Sequence, residues 1–87
     1  MKDENYKLYS NVELIIKKLK DGNEINWAER LRLAYSGSVI QIELFNEIRQ
    51  VLKALQNTLI PYRLNIEHDL NETIEYIERS LPNVTWN

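Results

Sequence analysis

Ser36-Gly37-Ser38 is the stretch of the sequence where a phosphate-binding loop could first be suspected. A glycine just before a helix can leave backbone N–H groups free to bind an anion. A P-loop, however, requires G-x-x-x-x-G-K-[ST], and a dinucleotide site requires G-x-G-x-x-G after a strand. The chain has only two glycines and neither pattern. We therefore predict a corner between two helices, in which Gly37 ends one helix and Ser38 caps the next.

His68 is the only histidine, and Asp69 and Glu72 lie close to it in the sequence. Three such residues suggest a metal site, but Zn²⁺ takes three or four ligands that are mostly Cys and His. The chain has no cysteine and no second histidine. A general base also needs a nucleophile nearby, and none is evident for His68. We expect a solvated helix histidine, and the sequence predicts no metal, no cofactor and no catalytic residue.

The carboxyl-terminal part of the chain is acidic, since residues 65–87 hold five carboxylates and a single arginine. Paired carboxylates can act as general acid and base, but exposed helix glutamates more often form a solvated face. An acidic helix face can attract a basic partner by electrostatic steering. The candidate binding residues are Glu67, Asp69, Glu72, Glu75, Tyr76 and Glu78.

The aromatic residues fall into two groups. Trp27 and Tyr35 lie on the apolar face of a predicted helix, so we expect them in the core or at its edge. Tyr6, Tyr62, Tyr76 and Trp86 are hard to bury together in so short a chain. Tyr and Trp often anchor protein interfaces, although a tyrosine can also pack its ring and leave its hydroxyl in water. Both interpretations remain open from the sequence.

The first two helices are predicted from apolar residues at helical spacing. The first begins near residues 3–5 and ends at Lys20, where Gly22 can close it in the left-handed conformation. The second begins near Asn26, which has Glu29 three residues later at the spacing of a capping box. It ends at Gly37.

Two further helices complete the predicted fold. Ser38 with Gln41 matches a capping box at the start of the third helix, whose apolar stripe reaches Leu59 before Pro61 stops it. The fourth helix ends at Pro82 and has the most regular stripe in the chain. That stripe consists of Ile66, Leu70, Ile74, Ile77 and Leu81. Short connections make consecutive helices antiparallel, so we predict an all-α fold, a small four-helix up-and-down bundle.

The composition narrows the classes of function. A chain of 87 residues is expected to form one domain over residues 1–87. It has no cysteine, no apolar run of about 20 residues and a polar beginning, so we expect a cytoplasmic protein without a membrane partner. Nucleic-acid binding domains are usually basic. Because the net charge here is −2, we expect no nucleic-acid partner.

The segment from Ile25 to Leu52 resembles a loose group of small, all-helical bacterial immunity-type proteins. Members occur beside contact-dependent growth-inhibition toxins and other secreted toxins. They share a W-A-E-x-L segment, an S-G-[ST] corner and a following helix that starts with aliphatic residues. The matching residues are Trp27, Ala28, Glu29, Leu31, Ala34, Ser36, Gly37 and Ser38. The resemblance implies a protein partner, a cognate toxin domain such as a nuclease that is blocked by direct binding.

The sequence thus leads to two hypotheses about function. The first is an immunity protein that neutralises a toxin domain through its acidic last helix. A nuclease needs a basic cleft for its substrate, and an acidic helix can occupy such a cleft. The alternative is a self-associating structural or regulatory bundle, a homodimer whose apolar face includes Val39, Ile42 and Leu52.

Overall fold

The computed structural model describes residues 5–81 and residue 84 of the chain. Within that part, all of the regular secondary structure is helical, which confirms the predicted all-α class. The described residues form five helices rather than four. They are α1 (Tyr6–Asp21), α2 (Ile25–Ser36), α3 (Gln41–Gln56), α4 (Ile60–Arg63) and α5 (Glu67–Ser80). Trp86, which we expected to be hard to bury, lies outside the described residues, as does the tail around it apart from Val84.

The four longer helices surround one hydrophobic core. Helix α1 packs against α2 and α5, and α3 packs against the same two helices, so the contacts form a closed ring. The short α4 packs against α3 and α5, and its Arg63 pairs with Glu24 in the corner between α1 and α2. The largest fully buried side chains come from all four long helices and the residue before α5; they include Leu8, Ile15, Leu31, Phe45, Ile48, Leu52, Ile66, Leu70 and Ile77. Full burial of each such side chain contributes about 1.5–3 kcal/mol, so the ring depends on these stripes.

The corner between α1 and α2 does not use glycine as we predicted. Gly22 has φ −86°, and the residue in the left-handed conformation is Asn23, with φ 63°. Asparagine tolerates this conformation better than most residues. A Cβ atom at Gly22 would overlap with the side chain of Leu64, so this glycine provides a close approach between segments rather than an unusual backbone angle.

Both predicted capping boxes are wrong. Helix α2 starts at Ile25, one residue before Asn26, and Glu24 is its N-cap. Helix α3 starts at Gln41 with Ile40 as its N-cap. The Ser38 hydroxyl accepts a hydrogen bond from the Ile40 backbone N–H (3.2 Å). Ser38 therefore satisfies a backbone donor in the corner, outside the helix that we expected it to cap.

The connection between α3 and α5 also differs from the prediction. Helix α3 ends at Gln56, and Pro61 lies in the first turn of α4 instead of stopping α3. Proline fits a first helical turn because its missing N–H would have no helical partner there. The Thr58 hydroxyl accepts a hydrogen bond from the Ile60 N–H (3.2 Å), which leads the chain into α4. As a result Leu59, predicted on the α3 stripe, is 83% exposed.

The two glycines predict different responses to alanine. Gly37 has φ −85°, which alanine can adopt, but its Cβ would lie 2.7 Å from the carbonyl oxygen of Leu33. That oxygen belongs to the helix backbone, so we expect Gly37→Ala to lower the free energy of unfolding by about 1–3 kcal/mol. Gly22→Ala is the matched control. Since it meets only the end of the Leu64 side chain, which can rotate, we expect a smaller loss. Urea denaturation of both variants measures the difference, and a larger loss for Gly22→Ala would contradict this explanation.

Candidate functional site

The six candidate residues of α5 do not share one face. Burial of the α5 stripe against α1 and α3 fixes the rotation of the helix, and the acidic side chains then point in three directions. Glu72, Glu75 and Tyr76 line a groove between α1 and α5. Asp69 faces the last turns of α1, and Glu78 faces α3. Glu67 lines a second groove beside α4.

The α1–α5 groove is a shallow cavity of about 180 Å³. It is lined by Lys7, Leu8, Asn11, Glu72, Glu75, Tyr76 and Arg79. The apolar floor is provided by the buried Leu8, and the rim carries two carboxylates and two cations. The structure therefore brings together three of the six predicted residues with Arg79 of the same helix, and adds Lys7 and Asn11 of α1, which the sequence did not indicate.

Glu72 is the most connected carboxylate of this groove. Its Oε1 lies 2.9 Å from Lys7 Nζ and accepts a hydrogen bond from Asn11 Nδ2 (3.4 Å). Its Oε2 lies 3.1 Å from His68 Nε2. The hydrogen bonds from Lys7 and Asn11 lower the pKa of Glu72 below its ordinary value. His68 itself is largely exposed, as we predicted for a solvated histidine.

Tyr76 and Glu75 occupy the same groove in different ways. The Tyr76 hydroxyl donates a hydrogen bond to Asn5 Oδ1 (2.8 Å), so its half-buried ring connects α5 to the residue before α1. Glu75 forms an exposed ion pair with Arg79 one turn later in the same helix. An exposed pair of this kind contributes about 0–1 kcal/mol, so either partner can exchange it for another charge at little cost.

The other two ion-paired carboxylates join helices. Asp69 Oδ2 lies 3.7 Å from Lys18 Nζ of α1. Glu78 Oε2 accepts hydrogen bonds from Arg49 of α3, at 2.8 Å from Nε and 2.7 Å from Nη2. The Arg49 side chain is only 9% exposed, so this charge lies inside the fold. Glu78 is therefore mainly an internal partner of Arg49, and much of the acidic charge of α5 is compensated by this chain's own cations.

Glu67 lines a second groove, whose apolar residues we did not predict from the sequence. The groove next to α4 measures about 320 Å³ and includes Leu59, Pro61 and Tyr62 in its lining. Tyr62 is 76% exposed, in agreement with the expectation that not all tyrosines can be buried. One feature of the sequence could have indicated this groove. The connection between α3 and α5 is longer than a simple corner between antiparallel helices requires.

Trp27 and Tyr35 pack at the edge of the core, as expected, whereas Tyr6 is 68% exposed. Trp27 is half-buried, and the Arg30 guanidinium lies over its ring, 4.4 Å from the centroid. The rings of Tyr9 and Tyr35 are 5.9 Å apart. The Tyr35 hydroxyl donates to Glu13 Oε1 (3.0 Å), and burial together with this carboxylate raises the pKa of Tyr35 to about 12.

The face predicted for a homodimer needs correction. Leu52 is completely buried in the core, so it cannot contribute to an outer surface. Val39 and Ile42 are exposed, with Val39 fully in solvent. The helical pattern placed Leu52 beside the α3 stripe but could not show that α3 is covered by α2 on one side and α5 on the other.

The described residues offer neither a metal-ligand cluster nor a membrane-spanning helix. Residues 5–81 and 84 contain no cluster of three or more potential metal ligands among His, Cys, Asp and Glu. No helix in the same part of the chain combines the length and apolar character needed to cross a bilayer. The arrangement on α5 offers a groove with an apolar floor, a charged rim and exchangeable surface charges, which are features suited to binding a macromolecule.

The lowered pKa of Glu72 predicts a specific acid sensitivity. Because the folded-state pKa is depressed, the ion pair stabilises the fold above the ordinary value of 4.5 and loses this effect as the pH falls through the lowered pKa. We expect Glu72→Gln to be less stable than the wild type near neutral pH and the difference to disappear in acid. Urea denaturation over a pH series measures it. Glu67→Gln is the control, since Glu67 has no ion pair within residues 5–81 and 84. A constant difference for Glu72→Gln at every pH would contradict the prediction.

The ion pair between Arg49 and Glu78 predicts a larger effect at neutral pH. Glu78→Ala removes the carboxylate that binds a buried guanidinium, so we expect the free energy of unfolding to fall by about 1–3 kcal/mol. Glu75→Ala removes a carboxylate from an exposed pair on the same helix and is expected to cost less than about 1 kcal/mol. Thermal or urea denaturation compares the two variants, and equal losses would show that the burial of Arg49 does not matter.

Comparison of the chain with models of known protein families, with curated proteins and with solved structures finds no match.

Proposed function

We propose that this chain is a binding protein that neutralises a cognate bacterial toxin domain, such as a nuclease, by direct occlusion. The proposal starts from the resemblance of Ile25–Leu52 to immunity-type proteins. The observation that carries it further is the α1–α5 groove, where Glu72, Glu75 and Tyr76 meet on an outer surface. An occluding inhibitor needs such a surface and no reactive group.

The electrostatics of the groove suit a basic partner. Lys7 and Arg79 are mostly exposed and pair with Glu72 and Glu75 across its rim. Because surface ion pairs are weak, lysines or arginines of a partner can replace these internal cations at small cost. A cleft that binds phosphate backbones has such cations in excess. The released Lys7 and Arg79 then return to solvent.

The scaffold proposed for this role is an up-and-down bundle of the four longer helices. The closed ring of contacts and the short connections favour that topology. In this arrangement α5 packs against α1, α3 and the short α4 and keeps one outer face, so the groove lies between two long helices. We place the activity in the cytoplasm, where an inhibitor would meet a toxin that has entered the cell.

The test is direct binding to the toxin domain encoded by the adjacent gene. We expect the two proteins to co-purify as a complex, and expression of this chain to restore growth of cells that produce the toxin. Glu75→Lys should weaken the complex by about tenfold at low salt, since it places a positive charge on the proposed contact. Absence of both binding and growth rescue would reject the function.

A matched control locates the contact. Glu29 of α2 is also an exposed glutamate that pairs with an arginine of its own helix, Arg32. Helices α2 and α5 do not contact one another in the ring, so Glu29 lies away from the proposed surface. We expect Glu29→Lys to bind the toxin as the wild type does. If Glu29→Lys weakens binding and Glu75→Lys does not, the function stands and the surface is elsewhere.

A further inference from the structure

The side of the molecule opposite the α1–α5 groove has a second open surface. In the ring of contacts, the pair formed by α2 and α3 lies across from the pair formed by α1 and α5. A wide groove of about 400 Å³ runs between α2 and α3. It is lined by Arg30, Leu33, Ala34, Glu47, Gln50 and Val51. We call this surface the α2–α3 face.

The centre of the α2–α3 face is apolar and partly exposed. Leu33 of α2 lines the groove and is 55% exposed, and Val51 of α3, which lines the same groove, is half-buried. The corner at the end of the face adds Val39, which is fully exposed, and Ile40, which is 55% exposed. Exposed apolar residues that cluster in this way often mark an interaction site.

Opposite charges flank this apolar centre. Glu47 lies at the corner end, since its Oε2 would be 3.3 Å from a Cβ atom at Gly37. Arg30 lies seven residues before Gly37, about 10 Å away at the rise of an α-helix, with its guanidinium over Trp27. Among the described residues, neither Arg30 nor Glu47 has an ion-pair partner. The face therefore carries one unpaired charge of each sign, with Leu33 between them.

We propose that the α2–α3 face binds a second copy of this chain in a two-fold symmetric dimer. A two-fold axis through the centre of the face turns one copy so that its Arg30 meets Glu47 of the other, and the reverse contact forms at the same time. Leu33 and Val51 of the two copies then pack together around the axis. The charge pattern is complementary to itself, which is the requirement for an isologous interface.

The size of this side is sufficient for such an interface. A standard interface buries about 800 Å² on each partner, whereas one side of a four-helix ring is about a quarter of the 5852 Å² accessible surface. The dimer differs from the face predicted from the sequence, because Leu52 is replaced by Leu33 as its apolar centre. It leaves the α1–α5 groove open and does not depend on the proposed toxin binding.

Charge reversal tests the two-fold contact. We expect the wild type to dimerise in sedimentation equilibrium over a concentration series, with weaker association at higher salt. Arg30→Glu alone places two glutamates against each other, and Glu47→Arg alone places two arginines against each other. Each single variant should raise the dissociation constant by about tenfold or more. Circular dichroism shows whether each variant keeps its helical content.

Mixing the two single variants provides the most specific result. In a mixed dimer, Glu at position 30 of one copy meets Arg at position 47 of the other, and the one remaining contact, Glu47 with Arg30, is also of opposite sign. An equimolar mixture should therefore form heterodimers, and the double variant Arg30→Glu/Glu47→Arg should dimerise by itself. Leu33→Asp should be monomeric, whereas Glu67→Arg on α5 should dimerise as the wild type does.

Three results would overturn the proposal. The first is a wild-type protein that stays monomeric at every concentration. The second is dimerisation of both single variants with unchanged affinity, which would place the interface elsewhere. The third is failure of the mixture and of the double variant to dimerise although their helical content is intact. Toxin binding by a monomeric wild type would keep the proposed function and reject only the dimer.

Discussion

The rotation of α5 about its own axis is the constraint on which the surface of this protein depends. The stripe of Leu70, Ile74 and Ile77 is buried between α1 and α3, and each fully buried side chain of this kind contributes about 1.5–3 kcal/mol. No single surface ion pair can outweigh that sum. The direction of every other α5 side chain follows from it. Glu72 therefore meets α1 and Glu78 meets α3, while Glu75 remains outside.

The parts of the fold that could be predicted from the sequence are those encoded by local periodicity. The regular α5 stripe located that helix to within a residue, and the glycine at position 37 located the end of α2. The four residues of α4 could not be found in this way, because they span little more than one helical turn. Residues Ser38 and Gln41 had the right spacing for a cap, but the helix begins at Gln41 itself.

The candidate site was less predictable because it depends on contacts between distant residues. Arg49 and Glu78 are 29 positions apart, and nothing in their local sequence indicates that the Arg49 guanidinium binds the Glu78 carboxylate. The same holds for Lys7 with Glu72, which come from the two ends of the described chain. Composition correctly showed an acidic last helix, but its net charge says little about which carboxylates face a partner. That depends on where cations of other helices lie.

The two proposed surfaces divide the ring of helices between them. In the α1–α5 groove, the opposite charges of Lys7 and Glu72 and of Arg79 and Glu75 compensate each other. On the α2–α3 face, Arg30 and Glu47 lack ion-pair partners among the described residues. A surface with compensated charges suits a partner of strong charge that can displace the internal ions. A surface with one uncompensated charge of each sign suits a partner with the same pattern in reverse. A second copy related by a two-fold axis has that pattern, because each of its charges meets its opposite.

The carboxylates of α5 differ in whether the cation that each one pairs with is buried or exposed, and this decides which of them could exchange it for a partner's charge. Removing Glu78 from Arg49 leaves a nearly buried cation without this carboxylate, and the cost of that change exceeds what an exposed partner charge returns. Glu75 and Glu72 pair with the mostly exposed side chains of Arg79 and Lys7, so water can solvate these cations when they are displaced. The α1 side of the acidic helix is therefore the side that we propose for partner binding. Its α3 side stabilises the fold through the pair of Glu78 with Arg49.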